Sequence, residues 1–367
     1  MANQFVTLQE IARATLPRLY EKLVFPNLVY KDFSNDFKDL GDTIQVRKPV
    51  ILEAQEFNES EGTTDQDIKE STVTVTLDKI ATVDVSITAL EGAVNVSDYT
   101  KIFVEPAAVA LAQKINSDGL ALYKDIPYVC GTAGTTPADL AALADVRKAL
   151  NKNYVPESPR YAIWDTEADA AFTTIPAIVN AEKSGSTEAL RSGSIGRIFG
   201  LENYMSQAVK QHTKGTLSAE VKPKSSFEAG VETLTLSATA VTGTLVKGDL
   251  LTILNDTYVV TEDATAESNE ITVKIYPALK KAVNTNTVVA VAADHTANLA
   301  FNPMAFAYVT RPLVKPSGVD SYVTSFNGLS LRVVKGYDMK YKKEKLSMDV
   351  LYGYKTVYPE LAVRAMG

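Results

Sequence analysis

The chain is poor in the residues most chemistry needs: one cysteine, one tryptophan and two histidines in 367 residues. A lone cysteine rules out an intramolecular disulfide framework. So few histidines and thiols leave little for nucleophilic or metal-assisted catalysis and weigh against an enzyme. No apolar run approaches the roughly 18 residues of a membrane-spanning helix. The start, MANQFVTLQE, has no cationic segment followed by an apolar one, so a cytoplasmic product without a secretion signal is expected. Positive charge is not in excess either. With 37 Lys+Arg against 44 Asp+Glu, a net charge of -7, the chain as a whole is unlike a dedicated nucleic-acid binder, which leaves only local basic patches open. Fixed-period repeats and low-complexity tracts are missing as well. What is present is a globular composition, 46% hydrophobic and 22% charged, enough for two or three units that each bury a core.

Near the N-terminus Phe5, Leu8, Ile11, Ala12, Leu16, Leu19, Tyr20 and Leu23 recur at helical spacing. Thr7 and Glu10 form a capping-box pattern, and Pro17 predicts a kink or two short helices. A helix of this length is marginal alone and needs something to dock on. Behind Gly41 the chain alternates as a strand over 42–49, and a hairpin is predicted from strands at 44–52 and 71–77. Between them, 53–70 holds seven acids, Glu53, Glu56, Glu59, Glu61, Asp65, Asp67 and Glu70, against Lys69. Such a tip cannot form a core; a solvated loop and a partner-binding loop both fit it. A strand is expected at 80–90, followed by a long helix from Ser97-Asp98 to Tyr123. A second helix is expected to start at Thr136-Pro137 and run to Leu150, followed by a strand at 160–164 and a helix at 166–173. From 221 to 299 the pattern turns to short alternating runs separated by Gly243, Gly248, Asn255-Asp256 and Ser268-Asn269, which predicts a small all-β unit. Further strands are expected at 329–334, 337–341 and 346–354.

Few residues offer chemistry. Cys130 lies in a small-residue loop, with neither histidine near it in sequence to activate a thiolate. His212 and His295 lack an i, i+4 partner or a cluster of ligands, so surface or loop positions are expected for both. The glycines between 193 and 200 lack the Walker and dinucleotide-binding spacings and are read as turns framing a strand. The acidic tip lacks the spacing of a calcium loop. No catalytic, cofactor-binding or metal-binding residue is assigned. The stretch 332–345 carries Arg332, Lys335, Lys340, Lys342, Lys343 and Lys345 against Asp338 and Glu344. This local positive patch fits nucleic-acid backbone contact, an acidic partner, or an edge strand guarded by lysines.

The order of parts resembles major capsid (coat) proteins of tailed bacteriophages. The resemblance is carried by G-D-T-I-Q-V-R-K-P at 41–49, E-P-A-A-V-A-L-A at 105–112, L-R-S-G-S-I-G-R-I-F-G-L-E-N-Y-M-S-Q at 190–207 and M-D-V-L-Y-G-Y-K-T-V-Y-P-E-L-A-V-R at 348–364. The β-rich insertion is similar to that of the phage P-twenty-two coat-protein subgroup. What the resemblance implies is an α+β, Hong Kong 97-type capsid fold with an inserted small all-β barrel. Its parts would be an N-terminal arm at 1–42, an extended acidic hairpin at 43–80, and a peripheral domain with a spine helix at 81–130 completed by about 336–356. An axial domain at 131–220, completed by about 300–335, and the barrel at 221–299 would follow. The implied role is a structural shell subunit, not an enzyme, assembling with itself as hexamers and pentamers of an icosahedral shell. Implied partners are a separate scaffolding protein, a portal protein and packaged double-stranded DNA contacted non-specifically, with no cofactor and no membrane. The implied place is the virion capsid, assembled in the bacterial host cytoplasm. An acidic tip and a basic stretch far apart in one chain suggest contact between copies, with Lys342 and Lys343 as counter-charges. Two rivals are a β-rich surface or carbohydrate-binding module, disfavoured by the missing signal peptide, and a carboxylate-dependent hydrolase, for which no convergent catalytic set is found.

Overall fold

The computed structural model describes residues 8–31, 43–47, 72–88, 105–180, 185, 188–217, 220–238, 240–341 and 343–367. The chain divides into two units, each assembled from distant segments: Met1–Pro17, Lys31–Val104 and Phe306–Val357 in one, Arg18–Tyr30, Glu105–Ala305 and Tyr358–Gly367 in the other.

The first unit is organised by its longest strand, Lys343–Thr356. One edge of this strand pairs antiparallel with Lys79–Thr88. Its other partners are Leu329–Asp338, which pairs in turn with Asp320–Phe326, and Phe306–Arg311. Leu346, Met348, Val350, Leu351 and Tyr352 are buried along it, a near-continuous apolar run suited to a central strand. At Gly353 a Cβ would collide with the Thr76 carbonyl, so glycine alone admits that approach. A separate two-stranded ladder pairs Thr43–Arg47 with Thr72–Thr76, in register from Thr43↔Thr76 to Arg47↔Thr72. The predicted hairpin thus has its base, while the acidic tip lies outside the described residues, as does Thr7, the capping partner expected for Glu10.

Two expectations are corrected in this unit. Separate strands at 329–334 and 337–341 are in fact one, Leu329–Asp338, because Gly336 stays in the ladder opposite Lys345. The expected division near 335 therefore cuts a strand in half. Residues 306–326 also belong to this sheet, not to a layer with 131–220.

The second unit carries the long helix Glu105–Leu120, continued by a 3-10 turn at Ala121–Asp125. Its small buried residues Ala107, Ala108 and Ala112 stand beside Leu111 and Ile115. Asn116 accepts hydrogen bonds from Val24 and Phe25 N–H (3.1 and 3.2 Å) and donates to the Lys22 carbonyl (3.0 Å). It thereby fixes the break between the helices Leu8–Lys22 and Phe25–Leu28. That break, and not Pro17, is where the N-terminal helix stops. A sheet runs in the order Val129–Cys130, Ala362–Met366, His295–Phe301, Tyr161–Trp164, Leu201–Met205 and Arg197–Ile198, with Gln211–His212 added against His295. The helices Leu140–Lys152 and Thr166–Phe172 cover it through Leu143, Val146, Leu150, Ala168 and Phe172, which meet Trp164, Leu201 and Val363. The first begins later than predicted, since extended Asp139 caps it by accepting from Ala142 N–H at 2.9 Å.

Between His212 and His295 the chain forms its own six-stranded sheet, ordered Val289–Val291, Leu250–Ile253, Asp256–Val260, Glu270–Tyr276, Thr233–Ser237 and Lys222–Pro223. A bridge between Val221 and Val289 joins the two ends of that order. Leu234, Leu236, Leu251, Tyr258, Ile271 and Val273 fill the core it encloses.

Candidate functional site

Strand register decides what becomes of the basic stretch. Arg332 stands opposite Asp349 and donates to it through Nε (3.0 Å) and Nη2 (2.6 Å), while Ser347 Oγ donates to the same carboxylate at 2.8 Å. Lys335 pairs with Glu344 at 3.0 Å and Lys345 with Asp338 at 3.2 Å. Lys340 lies 5.3 Å from the Tyr341 ring. Three of the six predicted cations are thus answered within the same sheet, which leaves Lys340 and Lys343 as the described ones that form no ion pair with another described residue. Lys342 and the acids Glu53, Glu56, Glu59, Glu61, Asp65 and Asp67 lie outside the described residues. Around the tip of this hairpin Tyr337, Met339 and Tyr341 are exposed.

Cys130 sits in a sheet strand, half-buried, where burial and nearby Asp145 push its thiol up to about 12. A thiol held protonated is no nucleophile. Gly193, Gly196 and Gly200 all adopt positive φ around the short hairpin Arg197–Ile198 and Leu201–Met205, as turn glycines should.

The histidines overturn the expectation of surface positions. His212 and His295 face each other in register, with rings 5.2 Å apart and almost no solvent exposure (2% and 1%). His212 Nε2 donates to Asp249 Oδ1 (2.9 Å), and its Nδ1 accepts from Tyr123 O–H (3.0 Å). Asp249, itself buried, also accepts from Gly215 N–H and from Val246 N–H (2.8 Å). His295 Nδ1 donates to the Ala293 carbonyl (2.8 Å), leaving Nε2 to accept from Arg364 Nη1 (3.3 Å). Burial holds this ring down at about 4, opposed by its bond to Ala293 and by Asp249 and aided by the Arg364 charge. Fully buried Arg364 donates further to the carbonyls of Gly248 (3.0 Å), Tyr123 (2.5 Å) and Ile126 (3.2 Å), and its guanidinium lies 4.9 Å from the Tyr123 ring. Desolvation lowers it to about 10, so it stays charged at neutral pH. Gly248, at φ +99, is held against Lys124, where a side chain would meet the lysine stem.

This cluster joins five stretches distant in sequence: the end of the long helix, the final strand, the two roots of the β-rich insertion, and the turn of the insertion at 246–249. Lys247 and Asp125 pair beside it at 2.9 Å. Chemically it is a structural joint in which, of the Arg364 nitrogens, Nη1 and Nη2 are hydrogen-bonded and the buried Nε has no partner. Among the described residues no group of three or more potential metal ligands is found, and no helix is long and apolar enough to cross a membrane. Sequence reasoning missed the joint because pairing of residues 83 positions apart leaves no local pattern. The one available signal was position, each histidine flanking an edge of the β-rich segment.

No family model and no curated protein matches the sequence. Among solved structures, a chain of Mycobacterium phage Che8 shares the fold at 16% identity, over 94% of this chain and 90% of that one, with a TM-score of 0.55. The capsid structure of the cyanophage P-SCSP1u does so at 14% identity, over 94% and 88%, with a TM-score of 0.52. At these identities the likeness is one of fold: a mixed α+β chain with the architecture of a phage capsid chain.

Proposed function

We propose that this chain is the major capsid protein of a tailed bacteriophage, a structural subunit that assembles with itself into an icosahedral shell around packaged double-stranded DNA. The observation that carries this reading is the fold shared with the P-SCSP1u capsid over nearly the whole chain. The chain's own physics supports it. The sequence between the paired strands Thr43–Arg47 and Thr72–Thr76 is acid-rich and offers little apolar surface for a core of its own, and contacts between repeated copies are how a shell closes. In finer detail we assign the Hong Kong 97-type elements, with the segment closed by the Val221 and Val289 bridge as the inserted barrel. The partners in this reading are further copies in hexamers and pentamers, a separate scaffolding protein, a portal, and DNA contacted without sequence specificity. The location is the virion, after assembly in the host cytoplasm, and no turnover is expected. The test is sedimentation of the full chain co-expressed with its neighbouring genes. Material running as large, uniform particles supports the role, and folded chain that stays at the top of the gradient under all salt conditions refutes it.

A further inference from the structure

Two aromatic side chains of the second unit are kept in backbone conformations that suit glycine or asparagine. Tyr154 has φ +55 and is 93% exposed, and Phe199 has φ +50 and is 41% exposed. Bulky residues at positive φ are uncommon and strained, and strain of this kind collects where a side chain has a use. Both lie beside one groove. Phe199 lines it with Ala144, Arg147, Lys148 and Asn151, an open space of about 390 Å³. Tyr154 N–H donates to the Asn151 carbonyl at 3.0 Å. Buried Arg160 fixes this region by donating to the carbonyls of Val155 (2.5 Å) and Pro156 (2.7 Å).

The groove lies at one end of a parallel pair of strands, Tyr161–Trp164 and Leu201–Met205, in register from Tyr161↔Glu202 to Trp164↔Met205. Phe199 precedes the start of one strand and Tyr154 the start of the other. At the opposite end, about 13 Å along the strands, Trp164 gives way to Asp165, which caps the helix Thr166–Phe172. There Glu167 is exposed and Asp169 half-buried, with Tyr204 and Met205 exposed at 38% and 43%. Burial and the neighbouring Asp165 push the Asp169 carboxyl up. The starting end carries Arg147, Lys148, Lys152 and Arg197 against Glu157 and Glu202, and the far end carries the three acids. Neither Arg147 and Lys148 nor Glu167 and Asp169 form an ion pair with any described residue. The strand pair therefore has a basic, aromatic end and an acidic, apolar end. Among the described residues its outer edge pairs with just the two-residue strand Arg197–Ile198, a short cover for an edge that invites pairing.

We propose that these two ends are complementary halves of a head-to-tail contact between copies of this chain: the groove of Arg147, Lys148 and Phe199 on one copy receives the acidic turn at 165–169 of the next. The occupant is a second copy because the opposite charge and the matching apolar rim stand on the same unit. Two different patches at opposite ends make a heterologous contact, which closes into rings when the rotation allows. This inference rests on the shell-subunit reading and names the surface by which neighbours meet.

The test uses the full chain co-expressed with its neighbouring genes, with the assembled fraction measured by sedimentation and negative-stain microscopy. Arg147→Glu with Lys148→Glu, and separately Glu167→Lys with Asp169→Lys, should each lower that fraction on the order of tenfold. All four substitutions together should restore most of it. Phe199→Asn should raise the thermal midpoint of the unassembled subunit by relieving strain, yet weaken assembly. Circular dichroism of each subunit separates lost assembly from lost folding, and Gln versions of the four charged positions replace any reversal that fails to fold. Folded double variants that assemble like the wild type, or a quadruple variant without rescue, overturn the contact while leaving the shell reading intact. A wild-type chain that forms no particle removes the shell reading and the contact with it.

Discussion

At the scale of single residues, His295 links proton binding to folding. Its ring sits at about 4 in the folded chain against 6.5 when free, because burial removes water from the charged form and Arg364 lies against Nε2. Between these values the unfolded chain binds a proton that the folded chain refuses, so stability rises with pH across the window. The contribution is complete above pH 6.5 and is lost as pH falls through about 4. A shift of this size corresponds to roughly 3 kcal/mol. Denaturant unfolding at steps from pH 7 to pH 4.5 should show the loss, and His295→Gln should flatten that part of the profile; a variant with the wild-type slope would contradict the assignment. Asp249 is more costly to remove. Asp249→Ala strands the His212 ring and two backbone N–H groups in a buried site, and a loss of about 2 to 4 kcal/mol in unfolding free energy is expected. Little of this was legible in the sequence, where isolated histidines look like surface residues. Burial of polar groups is decided by strand pairing, which acts over distances that composition and periodicity do not register.

At the scale of elements, local pattern carried much further. Period-two alternation over 71–77 located Thr72–Thr76, the strand expected at 80–90 is Lys79–Thr88, and apolar spacing located the helix Leu140–Lys152, ahead of the expected strand Tyr161–Trp164 and helix Thr166–Phe172. Errors fell where a residue's usual tendency yields to its neighbours. Gly336 looks like a strand end but is held in a ladder, and Thr136-Pro137 looks like a helix start but yields to the cap at Asp139. Two predictions belong here. The insertion, with its own core and joined sheet ends, should fold when residues 213–294 are expressed alone, with a cooperative transition on the order of 5 kcal/mol. The fragment should be less stable than the same segment in the full chain because Asp249 loses His212; an undispersed amide spectrum would mean that the segment depends on the joint. The second concerns the hairpin. If the acidic tip at 53–70 lies across a neighbour's lysines, Lys342→Glu with Lys343→Glu should slow assembly and steepen its dependence on salt. Exposed pairs are worth about 0 to 1 kcal/mol each, but a shell repeats them many times. Assembly kinetics unchanged across ionic strength would exclude the pairing.

At the scale of the whole molecule, the sequence shows the order of parts but not how the parts share elements. Each unit is built from segments far apart, and the chain crosses from one to the other at Pro17, Tyr30, Val104, Ala305 and Val357. The expectation already interleaves the segments, completing 81–130 with about 336–356 and 131–220 with about 300–335, but it places 306–335 in the wrong layer, because only long-range pairing with Lys343–Thr356 decides which sheet those strands join. Collinear motifs nonetheless pointed to a capsid fold, because that inference needs the order of elements and not their partners. The central claim is that many copies of this one chain form a closed container. Cryo-electron microscopy of particles purified from cells expressing the chain with its neighbouring genes tests it most directly. A reconstruction showing a closed shell of five- and six-membered rings, each position filled by this fold, is the predicted result. Folded monomers or small open oligomers as the sole species would contradict it.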